Sequence, residues 1–214
     1  MKKIKVNEIY YSIQGESSLA GLPCIFIRLT YCNLRCTYCD SEYAFYEGED
    51  YTVKQILKEI KKYDCNLVEV TGGEPLLQSE CISLLNKLID EKYNVMLETG
   101  GSLSIKEVPR DVKKIIDFKC PSSGMEKKNL WNIINDISNN DEIKFVIGDK
   151  IDFKWAKNKI KEYDIENKCA ILFSSVYDKI EYQKVVEWML DSKIKARFQL
   201  QIHKHIWKEK TKGV

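Results

Sequence analysis

The stretch TYCNLRCTYCDSEYAF, residues 30–45, places Cys32, Cys36 and Cys39 in the spacing C-x3-C-x2-C. A loop holding three thiolates within eight positions can wrap one face of an iron–sulfur cube, whose four irons ordinarily take four cysteines. No fourth cysteine follows nearby. One iron would then lack a protein ligand, and an open coordination position is what a catalytic metal site keeps and a structural one lacks. The competing reading is a zinc site completed by a distant cysteine or histidine. Zinc sites usually come as two CxxC-like pairs; here there is one triplet and only two histidines, His203 and His205.

The other five cysteines, Cys24, Cys65, Cys81, Cys120 and Cys169, lie scattered and mostly within apolar runs. Small buried hydrophobes read that way. With 214 residues the chain suits one domain, residues 1–214, around a single core. Its net charge of +2, from 34 basic and 32 acidic residues, gives no footprint for nucleic acid or a membrane surface. The start, MKKIKVNEIYYS, has no apolar stretch after its lysines. A cytoplasmic location is therefore expected, where thiols stay reduced and clustered cysteines mean metal or catalysis.

Short apolar or β-branched runs predict strands over 24–29, 67–72, 94–100, 114–119, 142–148, 169–175 and 196–203. Amphipathic stretches predict helices over 52–63, with Thr52 as cap, and 75–92, with proline in the first turn. Three more are expected within 127–138, 152–163 and 178–191. Alternation of this kind implies an α/β fold with parallel strands joined by crossovers. Six or seven units fall short of the eight of a closed barrel. A partial, open parallel β/α barrel with about six core strands is expected, its chemistry at the C-terminal strand ends, where the cysteine loop sits. Residues 125–195 carry no functional motif and read as scaffold; Trp155 and Trp188 there suit either core packing or a dimer surface.

The cysteine loop, the aromatic Tyr38 inside it and TGGEP at 71–75 together resemble the radical S-adenosylmethionine (SAM) superfamily. The resemblance implies that the bare iron binds the amino and carboxylate groups of SAM, which is cleaved to methionine and a 5′-deoxyadenosyl radical. Gly72 and Gly73 would let backbone approach the SAM amino group. Within the superfamily, EIYYSIQGES (8–17), RLTYCNLRCTYCDS (28–41), LVEVTGGEPLLQ, LETGGS, DFKCPSSG and QLQIHKHIW resemble the 7-carboxy-7-deazaguanine synthases, from about residue 4 to the end. That resemblance implies conversion of 6-carboxy-5,6,7,8-tetrahydropterin to 7-carboxy-7-deazaguanine with loss of ammonia, as part of queuosine biosynthesis. It implies a 4Fe-4S cluster on Cys32, Cys36 and Cys39, and a Mg2+ ion on Ser41. SAM would meet Tyr38, Cys39, Asp40, Gly73, Glu98, Cys120, Pro121 and Ser122. The pterin would meet Ile13, Gln14, Gly15, Glu16, Arg28, Thr71 and His203, with Arg28 suited to its carboxylate as a fork of donors. A flavodoxin or ferredoxin reductant and a homodimer complete the expectation. The alternatives are a radical SAM activase acting on a protein glycyl residue, and a non-catalytic zinc module.

Overall fold

The computed structural model describes residues 2–207 and 212–214. Among these residues nine strands form one open sheet in the order β3-β1-β2-β4-β5-β6-β7-β8-β9. From β2 (Pro23–Leu29) through β4 (Leu67–Gly72), β5 (Asn94–Thr99), β6 (Lys113–Phe118), β7 (Glu142–Ile147), β8 (Ala170–Ser175) and β9 (Arg197–Gln199), neighbours pair parallel and in chain order. The predicted partial barrel is thus present, open because β3 and β9 end the sheet without pairing to each other.

The N-terminal edge departs from the prediction. β1 (Ile4–Ile13) pairs antiparallel with both β2 and β3 (Glu49–Tyr51). Its alternation is hidden by a bulge between Val6 and Glu8. A bulge shifts the side-chain phase by one: Ile4 and Val6 enter the outer core, whereas Tyr10 packs with the inner cluster.

Every parallel strand from β4 to β8 is buried on both faces, as crossovers demand. One face, with Val68, Val70, Leu97, Ile116, Phe118, Ile143, Phe145 and Phe173, packs under the helices. Those helices are α1 (Val53–Ile60), α2 (Glu80–Asp90), α3 (Lys150–Glu162) and α4 (Tyr182–Ser192), contributing among others Ile56, Leu84, Phe153 and Val185. The other face, inside the curved sheet, is apolar only at one end, where Tyr10, Cys24, Phe26, Leu67, Met96 and Ile115 meet. The first helix, α1, begins on a complete capping box. Thr52 accepts from the Gln55 N–H at 3.3 Å, and the Gln55 side chain accepts from the Thr52 N–H at 2.8 Å.

Three predicted elements fold otherwise. The 75–92 helix is interrupted: Pro75–Leu77 is a 3-10 turn and Gln78 is extended, because its amide donates to the Lys5 and Thr30 carbonyls at 2.9 and 3.0 Å. The stretch 127–138 forms two 3-10 turns, Glu126–Lys128 and Trp131–Asn135. The side chain of Asn129 there both accepts from the Lys119 N–H and donates to its carbonyl, at 2.9 Å each. Those bonds pin the segment to the exit of β6. The strand expected over 196–203 ends at Gln199; the Ile202 N–H turns to the Gly15 carbonyl at 3.0 Å, and Ile202–Ile206 forms a short helix, α5. Trp155 and Trp188 pack within the chain, at 5.8 Å from the rings of Trp131 and Phe153 respectively. Cys24, Cys81 and Cys120 are buried, while Cys65 and Cys169 are half-buried.

Candidate active site

A cavity of about 640 Å³ opens at the C-terminal strand ends. That volume is in the range of small-molecule sites. The cysteine loop leaves β2 and forms part of the cavity wall. Cys32, Cys36 and Cys39 all line it and are half-buried. The loop is anchored by Leu34, which is 3% exposed, and by Arg35, whose guanidinium donates to the carbonyls of Cys32 at 2.8 Å and Leu34 at 2.6 Å. The Leu34 N–H points at the Cys32 sulfur at 3.4 Å. Burial raises the Cys36 thiol to about 11 and pushes Cys32 up as well. Both would need a cation to become thiolates, and an iron–sulfur cluster supplies that charge. None of the other five cysteines lines the cavity. Three thiols and no fourth on one wall fit a cluster with one iron open.

The double glycine of TGGEP fits under that loop. A Cβ on Gly72, whose φ is +148°, would lie 2.1 Å from the Leu29 carbonyl oxygen; on Gly73 it would lie 2.2 Å from that of Tyr31 and 2.8 Å from the Cys32 Cβ. Bare glycines let the end of β4 pass against the exit of β2. There the Gly73 and Glu74 N–H groups donate to the carbonyls of Leu29 and Tyr31 at 3.1 and 2.7 Å. Glu74 is wholly buried. Its carboxyl accepts from the Thr99 hydroxyl at 2.9 Å, the Gly100 N–H at 2.8 Å and the Leu76 N–H at 3.1 Å, joining the loops after β4 and β5. Composition and spacing gave no sign of that role.

Inside the sheet, strands that read as apolar runs carry charge: Glu69 on β4, Glu98 on β5, and the register partners Asp117 on β6 and Lys144 on β7 all line the cavity. Lys144 is 5% exposed; it pairs with Glu16 at 2.8 Å, with Asp117 at 3.6 Å and with Glu98. Burial opposes its charge, but these carboxylates more than offset that and raise its pKa. Glu16 is held below the usual carboxylate range: burial would raise it, and Lys144 prevails. Lys119 pairs with Asp117 at 2.9 Å. Ion pairs this deep are costly to break from one side.

The floor is the loop between β1 and β2. The Gln14 side-chain oxygen accepts from the Glu16 N–H at 3.0 Å, and its nitrogen donates to Glu69. The Ser17 N–H donates to Gln199 of β9 at 2.8 Å and the Ser18 N–H to Glu142 of β7 at 3.2 Å. Gly15 lies against the His203 ring so closely that a Cβ would come within 2.0 Å of Nδ1. Burial lowers the His203 pKa. Across the cavity, Arg28 donates to Glu8 at 2.7 Å and to the Tyr10 hydroxyl at 2.8 Å.

Of the residues singled out in the sequence, Ile13, Gln14, Gly15, Glu16, Arg28, Tyr38, Cys39, Asp40, Ser41, Thr71, Gly73, Glu98 and His203 all line this one cavity. Cys120, Pro121 and Ser122 do not. Cys120 is fully buried in the outer core, and Ser122 turns to Asp152 of α3, which accepts from its N–H at 2.9 Å and from its hydroxyl. The turn after β6 is tied to α3 through Ser122 and to the cysteine loop through its main chain, where the Ser122 and Ser123 carbonyls accept from the Thr37 hydroxyl at 2.7 Å and N–H at 3.1 Å. Of the tail 208–214, residues 208–211 lie outside the described residues; Gly213 N–H donates to Glu8 at 2.9 Å and Val214 lines the cavity.

Residues 26–173 match the Radical SAM superfamily, and with the three-thiol loop on an open β/α barrel they make this chain a radical SAM protein, which carries a 4Fe-4S cluster and binds SAM. It is 41% identical to the 7-carboxy-7-deazaguanine synthase of Koribacter versatilis, over 99% of its own length and 100% of that relative's. It is 42% identical to the one from Chlorobaculum tepidum, over 99% and 97%. The crystal structure of QueE from Escherichia coli superposes with a TM-score of 0.77 at 20% identity, covering 92% of this chain and 93% of that one. The chain belongs to the 7-carboxy-7-deazaguanine synthase family. Among the described residues no helix is long and apolar enough to cross a membrane.

Proposed function

We infer that this chain, acting as one domain, converts 6-carboxy-5,6,7,8-tetrahydropterin to 7-carboxy-7-deazaguanine and ammonia, in queuosine biosynthesis. The observation that carries this is the floor of the cavity. The loop at 14–18 closes the barrel opposite the C-terminal opening with bonds to β7 and β9, so the chamber has a bounded depth that suits a small substrate. What remains, about 640 Å³, suits SAM and one small heterocycle.

Cys32, Cys36 and Cys39 would hold the cluster, with Tyr38, Asp40, Gly73 and Glu98 beside SAM. When bound, these groups supply the oxidising radical that removes hydrogen from the substrate. The chain's own residues then bind and orient. Arg28 is held by Glu8 and Tyr10, so its remaining N–H groups face the cavity for the substrate carboxylate. The main chain of Ile13–Glu16, the Thr71 hydroxyl and a neutral His203 surround the heterocycle. Lys144 keeps Glu16 ionised. The Ser41 hydroxyl, 3.9 Å from the Cys39 sulfur, would give Mg2+ one hard oxygen ligand. The loop after β6 (Cys120, Pro121, Ser122) would meet SAM only through its main chain. A flavodoxin or ferredoxin as electron donor, a homodimer and a cytoplasmic location belong to the same reading.

Anaerobic protein is to be incubated with SAM, dithionite and the carboxytetrahydropterin. One ultraviolet-absorbing deazapurine and one ammonia per substrate consumed are expected. Cleavage of SAM with neither product would reject the reading.

A further inference from the structure

Among the described residues five carboxyl side chains line the cavity: Glu16, Asp40, Glu69, Glu98 and Asp117. Four of them are spent on cations. Glu16 and Glu98 pair with Lys144, Asp117 with Lys119 and Lys144, and Asp40 with Lys204 at 2.7 Å. Glu16 is further engaged: Gln201 donates to it at 2.6 Å and Gln199 at 3.3 Å. Gln14 is likewise occupied, its oxygen by the Glu16 N–H and its nitrogen by Glu69.

Glu69 alone among these five has no cation within ion-pair distance among the described residues. It is 3% exposed, and its hydrogen-bond partner there is the neutral Gln14 amide, on Oε2. Among the described residues that bond leaves its Oε1 without a side-chain partner, and Glu69 lines the cavity. On β4 it stands two positions before Thr71, on the same inner face. A buried carboxyl with one free oxygen, facing a ligand cavity, is an unmet acceptor.

We propose that Glu69 is a substrate-contacting specificity residue whose carboxylate accepts two adjacent N–H groups of an amino-pyrimidinone ring. The ring's 2-amino group and the neighbouring ring N–H present two parallel donors, the arrangement a carboxylate accepts. The assignment rests on the pterin reading above and adds the residue that reads the amino group.

The surroundings fix the direction of a pH effect. Glu69 faces Glu16 and Gln14 from the floor loop, Tyr10 from β1, Cys24 from β2, Glu98 from β5 and Lys144 from β7. Burial, then Glu98, pushes its pKa up to about 8. The empty site therefore holds the acid at neutral pH. Binding two N–H donors favours the carboxylate, so one proton passes from Glu69 to solvent as the ring docks. Affinity then rises with pH up to about 8 and flattens above it.

The test uses full-length, cluster-loaded protein with SAM and no reductant, so that nothing turns over. Titrations compare 6-carboxytetrahydropterin with its 2-deamino analogue for the parent, Glu69→Gln and Glu69→Ala. The parent is expected to prefer the amino compound by about 10- to 100-fold, the worth of a charged hydrogen bond. Both variants should lose most of that preference, and Glu69→Gln should also lose the rise with pH, while SAM affinity reports an intact fold. A merely structural glutamate would weaken both ligands alike and leave the preference unchanged. If the parent shows the preference and Glu69→Gln keeps it, this assignment falls and the reaction stands. If the parent binds neither compound, both fall.

Discussion

Gly73→Ala tests whether close backbone passage, not flexibility, is what the second glycine of TGGEP provides. Its φ lies outside the left-handed region, so alanine brings a steric cost alone. The new methyl would stand 2.2 Å from the Tyr31 carbonyl oxygen, where ordinary contact begins near 3.4 Å. Roughly a third of that contact distance must therefore come from movement of the backbone. Tyr31 is not free to retreat. It has φ 79°, donates to the Ala44 carbonyl at 2.9 Å and accepts from the Glu74 N–H at 2.7 Å. Overpacking costs about 1–3 kcal/mol, and each hydrogen bond lost adds about 1 kcal/mol. For a chain of this size that is a fall in melting temperature of roughly 4–20 °C. Cys32 follows Tyr31, so the displacement reaches the cluster. A shift of about 1 Å at a reacting centre costs on the order of 100-fold in rate. Thermal unfolding by circular dichroism and the rate of 5′-deoxyadenosine formation measure the two effects. A variant melting within about 2 °C of the parent and cleaving SAM within about threefold of its rate would refute the argument.

Glu74→Ala strips the acceptor from Thr99, Gly100 and Leu76 in a sealed environment and should cost about 2–4 kcal/mol; denaturant unfolding measures it, and a loss under about 1 kcal/mol contradicts the bracing role. Cys120→Ala should keep the parent's iron content and its visible iron–sulfur absorbance, whereas Cys39→Ala should lose both; equal iron loss in the two would contradict the three-ligand cluster. Glu69 retains its proton in the folded chain up to about pH 8 but gives it up near 4.5 when unfolded, so its contribution to stability declines as pH rises between those values. Glu69→Gln cannot titrate, and its melting temperature should gain on the parent's from about pH 5 to about pH 8; parallel curves would count against the raised pKa.

The parallel strands were legible because burial on both faces makes continuous apolar runs bounded by turns, and each of the first six agrees with the structure to within a residue at either end. The helices that pack on the sheet were legible from their period. β1 was not, because the bulge at Asn7 breaks its alternation into two phases. The 3-10 turns at 126–135 were not, because the side chain of Asn129, tied to the exit of β6, decides their shape. The cysteine loop was legible from residue type and spacing, whereas most of the remaining cavity wall came from the family resemblance of the surrounding motifs. Glu69, Asp117 and Lys144 read only as members of strands, yet they left a signal: a charged residue in the middle of an otherwise apolar parallel strand must face an interior that is not simply core. Glu74 left none, since its partners come from loops that only the fold brings together. Cys120 shares a motif with the cavity wall, but its side chain is buried in the outer core, a direction that the motif does not encode.

The loop at 14–18 belongs to neither the sheet's strands nor its helices, and it meets the far edge through few bonds: the Ser17 N–H to Gln199, the Ile202 N–H to Gly15, and Glu16 to the amides of Gln199 and Gln201. Those bonds bridge the seam that the unclosed sheet leaves between its first and last strands. The loop thus forms the end of the chamber opposite the cysteine loop, and it is held there by polar contacts to β9 and the segment after it. Changes among residues 14–22 would therefore reshape that end of the chamber without touching the loop that carries Cys32, Cys36 and Cys39 at the other.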